Sequence, residues 1–292
     1  MTRAIVRGRA SLLEWYRPRA RAYPWRGSRD PYRVLVSEVM LQQTQAARVV
    51  PAYRSFVRRF PTVRALAAAP RSDVIVAWGS LGYPRRALAL GEAARVIVRD
   101  HDGVVPRDLA ALQGLPGIGP YTAAAVASLG YGTAVSALDT NVRRVVGRVL
   151  LGRDDAPSNE VRVASDRWLD RREPASWNQA LMDVGRAHCR TKPRCDGCPL
   201  ARACEFRRSG AVPIRSPRRQ PRYEGSVRQL RGAIIRTLRS TPSTSIEVVV
   251  RGTGRSRSEV VAAVLALHDE GIVAASPAAL AGAPRGRVRL SR

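Results

Sequence analysis

The sequence predicts an all-α core that carries a metal centre, followed by a small C-terminal module of helices and a β-ribbon. Apolar residues up to about position 205 recur at helical spacing, and no convincing alternating strand interrupts them. The only four cysteines, Cys189, Cys195, Cys198 and Cys204, form the pattern Cys-x5-Cys-x2-Cys-x5-Cys. Thiols packed that tightly point to one metal centre rather than to a disulfide framework. Past residue 226, two helical patterns precede two short β-prone runs.

The helices can be justified in order. Asp30-Pro31 supplies an N-cap and a proline at the first helical position, and Val34, Leu35 and Val39 continue at helical spacing. Further helices are expected over about 46–60, 72–78, 85–101, 107–113, 120–130, 140–150, 158–170 and 174–188. From 207 to 226 the composition changes: the window 207–222 holds six arginines, several prolines and no acid, an extended basic linker. Residues 227–292 form a separate small domain. A helix runs from Val227 to Leu238, a Ser256-x-x-Glu259 capping box opens another through about His268, and Ile272-Val273 and Arg287–Leu290 make a ribbon. Helix, helix, ribbon is the order of a winged helix.

Composition narrows the function. The chain has 292 residues and a formal net charge of +27, an excess suited to a polyanion such as nucleic acid. Lys192 is the only lysine, so arginine-rich coding is a competing source of that charge. No apolar run is long enough to span a bilayer and no secretion signal opens the chain, which makes the reducing cytosol the expected compartment and excludes a membrane role.

Three segments carry candidate chemistry. Leu115-Pro116-Gly117-Ile118-Gly119 joins two helices, and its glycines permit a tight turn whose N–H groups approach an anion such as a DNA phosphate; a plain helix connection is the competing reading. Asp139, in Leu138-Asp139-Thr140-Asn141-Val142, stands at a helix start and, judged locally, reads first as an ordinary N-cap. Glu38 lies among apolar neighbours near a helix end. Burial there raises its pKa and suits it to general-acid work, unless it reaches water at the helix edge.

Taken together, Ser37–Gln45, Leu81-Gly82-Tyr83, Leu115–Ala123, Leu138–Val142 and the cysteine cluster resemble, in order and spacing, the MutY-type adenine DNA glycosylases of the endonuclease III (helix-hairpin-helix) superfamily. The resemblance covers roughly residues 10–205. It implies a helix-hairpin-helix glycosylase core: a six-helix barrel over 30–134, and an iron–sulfur domain made of 1–29 and 135–206 that binds a [4Fe–4S] cluster through the four cysteines. It implies a monomer acting on double-stranded DNA, with adenine mispaired with 8-oxoguanine or guanine flipped into a cleft and its N-glycosidic bond hydrolysed. Glu38 would be the acid that protonates adenine, Tyr121 its orienting partner, Asp139 the carboxylate that stabilises the sugar cation, and Asn141 a helper beside it. Gln42 would probe bases, Gln43 and Tyr83 would wedge into the duplex, Gly117 and Gly119 would hold a phosphate, and Trp25 and Arg26 would line the pocket.

Tyr121 stands where strand-cutting relatives carry lysine, and Lys192, the sole lysine, lies inside the cysteine loop. Without a lysine for a Schiff base, the chain is expected to leave the abasic site uncut. Two departures from the family stand out. The first cysteine gap holds five residues where the family has six, and the winged-helix-like module is expected where familiar members carry an 8-oxoguanine-inspecting Nudix-like domain. The rivals are a thymine/uracil–guanine mismatch glycosylase, against which Gln42-Gln43 argues, and a non-catalytic DNA-binding redox sensor, against which Glu38 and Asp139 argue together.

Overall fold

The computed structural model describes residues 3–20, 22–214 and 222–292, so residues 215–221 of the expected basic linker lie outside the described residues. The chain packs as two compact units, residues 1–39 with 105–218 and residues 40–104 with 219–292.

The first unit contains α1 (Arg3–Tyr16), most of α2 (Pro31–Leu41), α7 (Leu109–Gly114), α8 (Pro120–Ala125), α9 (Thr140–Leu151), α10 (Ser158–Trp168), α11 (Pro174–Ala187) and α12 (Glu205–Arg208). Asp30 caps α2 as expected, its Oδ1 accepting from the Tyr32 N–H at 2.9 Å. The core of this unit gathers Leu12, Val145, Val146, Val161, Trp168, Trp177, Leu181 and Val184. Trp168 and Trp177 meet edge to face with ring centres 5.0 Å apart, and each fully buried aliphatic contributes about 1.5–3 kcal/mol. The helix expected over 120–130 is α8 followed by one π-helical turn at Val126–Gly130. Gly130 lies against Pro31, where an added Cβ would come within 3.0 Å of the proline backbone.

The second unit holds α3 (Ala46–Arg59), α4 (Val63–Ala67), α5 (Arg71–Trp78) and α6 (Arg85–Asp100), followed by the C-terminal module. In that module α13 (Val227–Ser240), β1 (Thr244–Ser245), α14 (Ile246–Thr253), α15 (Arg257–Asp269), β2 (Val273–Ala275), α16 (Pro277–Leu280) and β3 (Arg287–Leu290) succeed one another. The expected ribbon is part of a three-stranded antiparallel sheet in the order β1-β3-β2. β1 escapes sequence pattern because it is two polar residues held only by pairing with β3. α14 is not among the elements expected from the sequence; Ser245 caps it, and its buried Ile246 and Val249 hold its β-branched run as helix. The Ser256/Glu259 capping box forms as predicted. Ile234, Val260, Val264, Leu267 and Val288 make the module's core, which Ile75 of α5 joins.

Candidate active site

Glu38 sits on α2, whose Val34, Leu35, Val36, Val39 and Met40 are all buried. The run from Val34 to Met40 is buried at every position, although Arg33 before it is exposed, and Glu38 goes with that run, 4% exposed. Burial, and secondarily the charge of Asp139, push its carboxyl up to about 7, against the pull of the Tyr121 hydroxyl and Arg26. The Tyr121 hydroxyl donates to Glu38 Oε2 at 2.7 Å. Tyr121 reaches that position through the hairpin. Gly117 adopts φ +74°, in the left-handed region, and Ile118 N–H closes the turn on the Leu115 carbonyl at 3.1 Å. Gly119 then caps α8 in extended conformation with Pro120 at its first turn.

Asp139 is the N-cap of α9, its Oδ1 accepting from Val142 N–H at 2.6 Å and its Oδ2 from Asn141 Nδ2 at 3.3 Å. The capping reading of the sequence is therefore correct, and it coexists with proximity to Glu38, whose proton affinity the Asp139 charge raises. Burial raises the pKa of Asp139 as well, but three hydrogen bonds and the Arg144 guanidinium oppose it. The two carboxyls thus share a neighbourhood and differ in donors: one phenol for Glu38, three hydrogen bonds for Asp139, with Arg26 and Arg144 as their respective cations.

Asn141 is itself held. Arg144 donates to Asn141 Oδ1 at 2.7 Å and to the carbonyl of Cys189 at 2.6 Å. The close passage of α11 at Gly185 permits this, since a Cβ there would lie 2.8 Å from the Asn141 Cβ. Trp25 is buried and stacks on Tyr23, rings 5.0 Å apart and 9° from parallel. Arg26 forms a bidentate pair with Asp183 at 2.7 and 2.8 Å, so its charge is engaged within the protein. Asp183, Arg144 and Gly185 carried no signal in the sequence; each matters through a contact distant along the chain.

All four cysteines line one cavity together with Val145, Arg148, His188 and Phe206. Burial, and then mutual repulsion, push the Cys198 thiol up to about 11, and burial raises Cys189 and Cys204 too. Such thiols ionise readily only beside compensating positive charge, which an iron centre would supply. Among the described residues no three His, Cys, Asp or Glu side chains close on a single-ion site. The donor set, four thiols around one cavity, fits an iron–sulfur cluster. Arg148, missed in the sequence, is 1% exposed. It pairs with Asp154, points Nη1 at Cys189 Sγ from 3.7 Å, donates to the carbonyls of Arg190 and Thr191, and stacks over Phe206. This arginine braces the shortened loop. Lys192 on that loop is exposed.

In the second unit Gln43 (φ +53°) and Tyr83 (φ +48°) both hold left-handed backbone, a costly state for such residues. Arg86 ties their two turns together. It donates to the carbonyls of Met40, Gln42 and Gly82 and to the Thr44 hydroxyl, and it lies 5.3 Å from the ring centres of both Trp78 and Tyr83. Gln42 flanks the first turn, and Tyr83 remains 43% exposed at the tip of the second.

Residues 36–171 match the HhH-GPD superfamily of base excision DNA repair proteins. The adenine DNA glycosylase of Mycobacterium tuberculosis is 47% identical over 249 residues, 82% of each chain. The chain belongs to the adenine DNA glycosylase family. That of Mycolicibacterium smegmatis is 44% identical over 246 residues, covering 82% of this chain and 83% of its own. Among solved structures, a thermostable thymine-DNA glycosylase superposes with TM-score 0.66 at 29% identity, over 70% of this chain and 97% of that one. Endonuclease III in a trapped covalent complex with DNA superposes with TM-score 0.60 at 26% identity, over 72% and 99%. The helix-hairpin-helix glycosylase fold expected from the sequence is therefore the fold of this chain.

Proposed function

We propose that this enzyme of base excision repair excises adenine mispaired with 8-oxoguanine or guanine from double-stranded DNA, by hydrolysis of the N-glycosidic bond, and leaves the abasic site uncut. The observation that carries the reading is a buried glutamic acid, hydrogen-bonded to Tyr121, within electrostatic reach of an aspartate held in a cage of donors.

The chemistry follows from those environments. The base must leave the stack before its sugar bond is accessible. Adenine departs poorly unless protonated, and Glu38 near pH 7 is poised to deliver a proton to N7. Tyr121 fixes the direction of that transfer. As the bond breaks the sugar gains oxocarbenium character, and Asp139 offers it a carboxylate, as the second carboxyl does in sugar hydrolases. Asn141 and Arg144 keep Asp139 oriented and favour its ionised form against the upward push of burial. Trp25 and Arg26, fixed by Tyr23 and Asp183, would wall the base pocket. Gln42, Gln43 and Tyr83 would enter the duplex, and the N–H groups around Gly117 and Gly119 would grip a phosphate without reading sequence. Cys189, Cys195, Cys198 and Cys204 would hold the [4Fe–4S] cluster, which when bound cross-links the loop that Arg144 and Arg148 touch.

A single-turnover assay on duplexes with A opposite 8-oxoguanine, A opposite G, and T opposite G tests the reading. Release of adenine from the first two and an intact third are expected. Thymine release with adenine untouched would overturn it. Borohydride should trap no covalent adduct; strong trapping would contradict the uncut product.

A further inference from the structure

The C-terminal module has two candidate faces, and their charges differ. On its helical side four arginines are engaged by carboxylates: Arg251 and Arg257 share Glu247, Arg255 pairs with Glu259, and Arg231 with Glu270, while Arg236 of α13 is exposed outside those pairs. The outer face of α15, the helix that a winged-helix reading would lay in a groove, shows Ser258, Ala262, Leu265 and Asp269. The one guanidinium on α15, Arg257 at its first turn, is paired with Glu247 at 3.2 Å, so the helix offers base edges no free guanidinium and no side-chain amide.

The sheet differs. β3 is its central strand, and its residues alternate strictly: Val288 and Leu290 point into the core while Arg287 and Arg289 are exposed. The residue opposite Arg289 is Ala274, and opposite Arg287 is Ser245, so small neighbours leave both guanidinium groups uncovered. Arg285, exposed just ahead of the strand, extends the row. Among the described residues no carboxylate lies within ion-pair distance of these three arginines. The two strand residues are about 6.6 Å apart, close to the separation of successive phosphates on one DNA strand.

We propose that the exposed face of β3, through Arg285, Arg287 and Arg289, is a second DNA-backbone contact, engaging the duplex away from the mismatch and without reading sequence. Its occupant is the phosphate backbone because the face offers charge and no apolar patch. β3 packs on α5 within the second unit, and Trp78 at the end of α5 donates to the carbonyl of Gly82 beside Tyr83. The row and the duplex-entering turns therefore belong to one packed body. The inference rests on the reading of the chain as a DNA glycosylase and adds to it a phosphate footprint outside the active site.

The test is the salt dependence of duplex binding by the full-length holoprotein. Each lost phosphate contact should lower the slope of log K against log salt by about 0.9. Replacing Arg285, Arg287 and Arg289 by Gln should lower it by about 2–3, with a matching loss of affinity and an unchanged single-turnover rate at saturating enzyme. The control Arg251→Gln/Arg255→Gln/Arg257→Gln, with equal loss of charge, should lower it by less than about 1. The Arg→Lys triple on the sheet should keep the parental slope, which excludes misfolding as the cause. Equal slopes for the sheet triple and the parent would overturn the inference, as would the same fall in both Gln triples. Absence of excision on every duplex with the slope change intact would count against the glycosylase reading alone.

Discussion

Changing Tyr121 to phenylalanine removes one oxygen and keeps the ring, so the perturbation falls on a single hydrogen bond of 2.7 Å to Glu38. That bond favours the ionised carboxylate and pulls the Glu38 pKa down. A hydrogen bond to a charged group contributes about 1.5–3 kcal/mol, which at about 1.4 kcal/mol per unit corresponds to roughly one to two pKa units. In the parent the protonated acid is lost as pH rises through about 7. In Tyr121→Phe the basic limb of the single-turnover profile should move up by roughly one to two units, while the maximal rate falls because the acid loses its orientation. The assay is adenine release from an A:8-oxoguanine duplex at saturating enzyme between pH 5 and pH 10. A limb that stays in place or moves to lower pH would refute the assignment of that limb to Glu38.

Other consequences follow from the same contacts. Because the folded pKa of Glu38 is raised to about 7, its contribution to stability is fully present below the unfolded value and is lost as pH rises through about 7. Glu38→Gln should therefore stabilise the fold by about 3 kcal/mol at pH 8 and leave it nearly unchanged at pH 4, as read by thermal melting. Asp139→Asn keeps a good N-cap, so melting should shift by less than about 1 kcal/mol while excision is lost; retained excision would make Asp139 a cap alone. Arg148→Met leaves Asp154 with only the Ile214 N–H and releases the loop carbonyls, which should cost about 3 kcal/mol and lower the iron content per chain; full iron loading would contradict the bracing role.

What was legible in the sequence was local. The capped start of α2, the glycine turn before Tyr121, the Asp139 cap and the thiol spacing are each written in a few consecutive residues. Burial of Glu38 was readable because Val34, Leu35, Val36, Val39 and Met40 surround it on its helix. The supporting contacts were not. Asp183 meets Arg26 from 157 positions away, Arg144 meets Cys189 from 45 away, and Gly185 matters only because another helix passes it. Arg86 looked like one more arginine in a basic chain, and only the fold shows it joining two strained turns. The edge strand β1 needed a partner to exist at all.

The central claim is that a protonated Glu38 and an ionised Asp139 act on opposite ends of one glycosidic bond. The measurement that meets it most directly is adenine release by Glu38→Gln under single turnover, set beside its affinity for the same A:8-oxoguanine duplex. Excision should fall by about three orders of magnitude or more with binding held within a few fold. Excision at the parental rate, with that carboxyl gone, would contradict the claim.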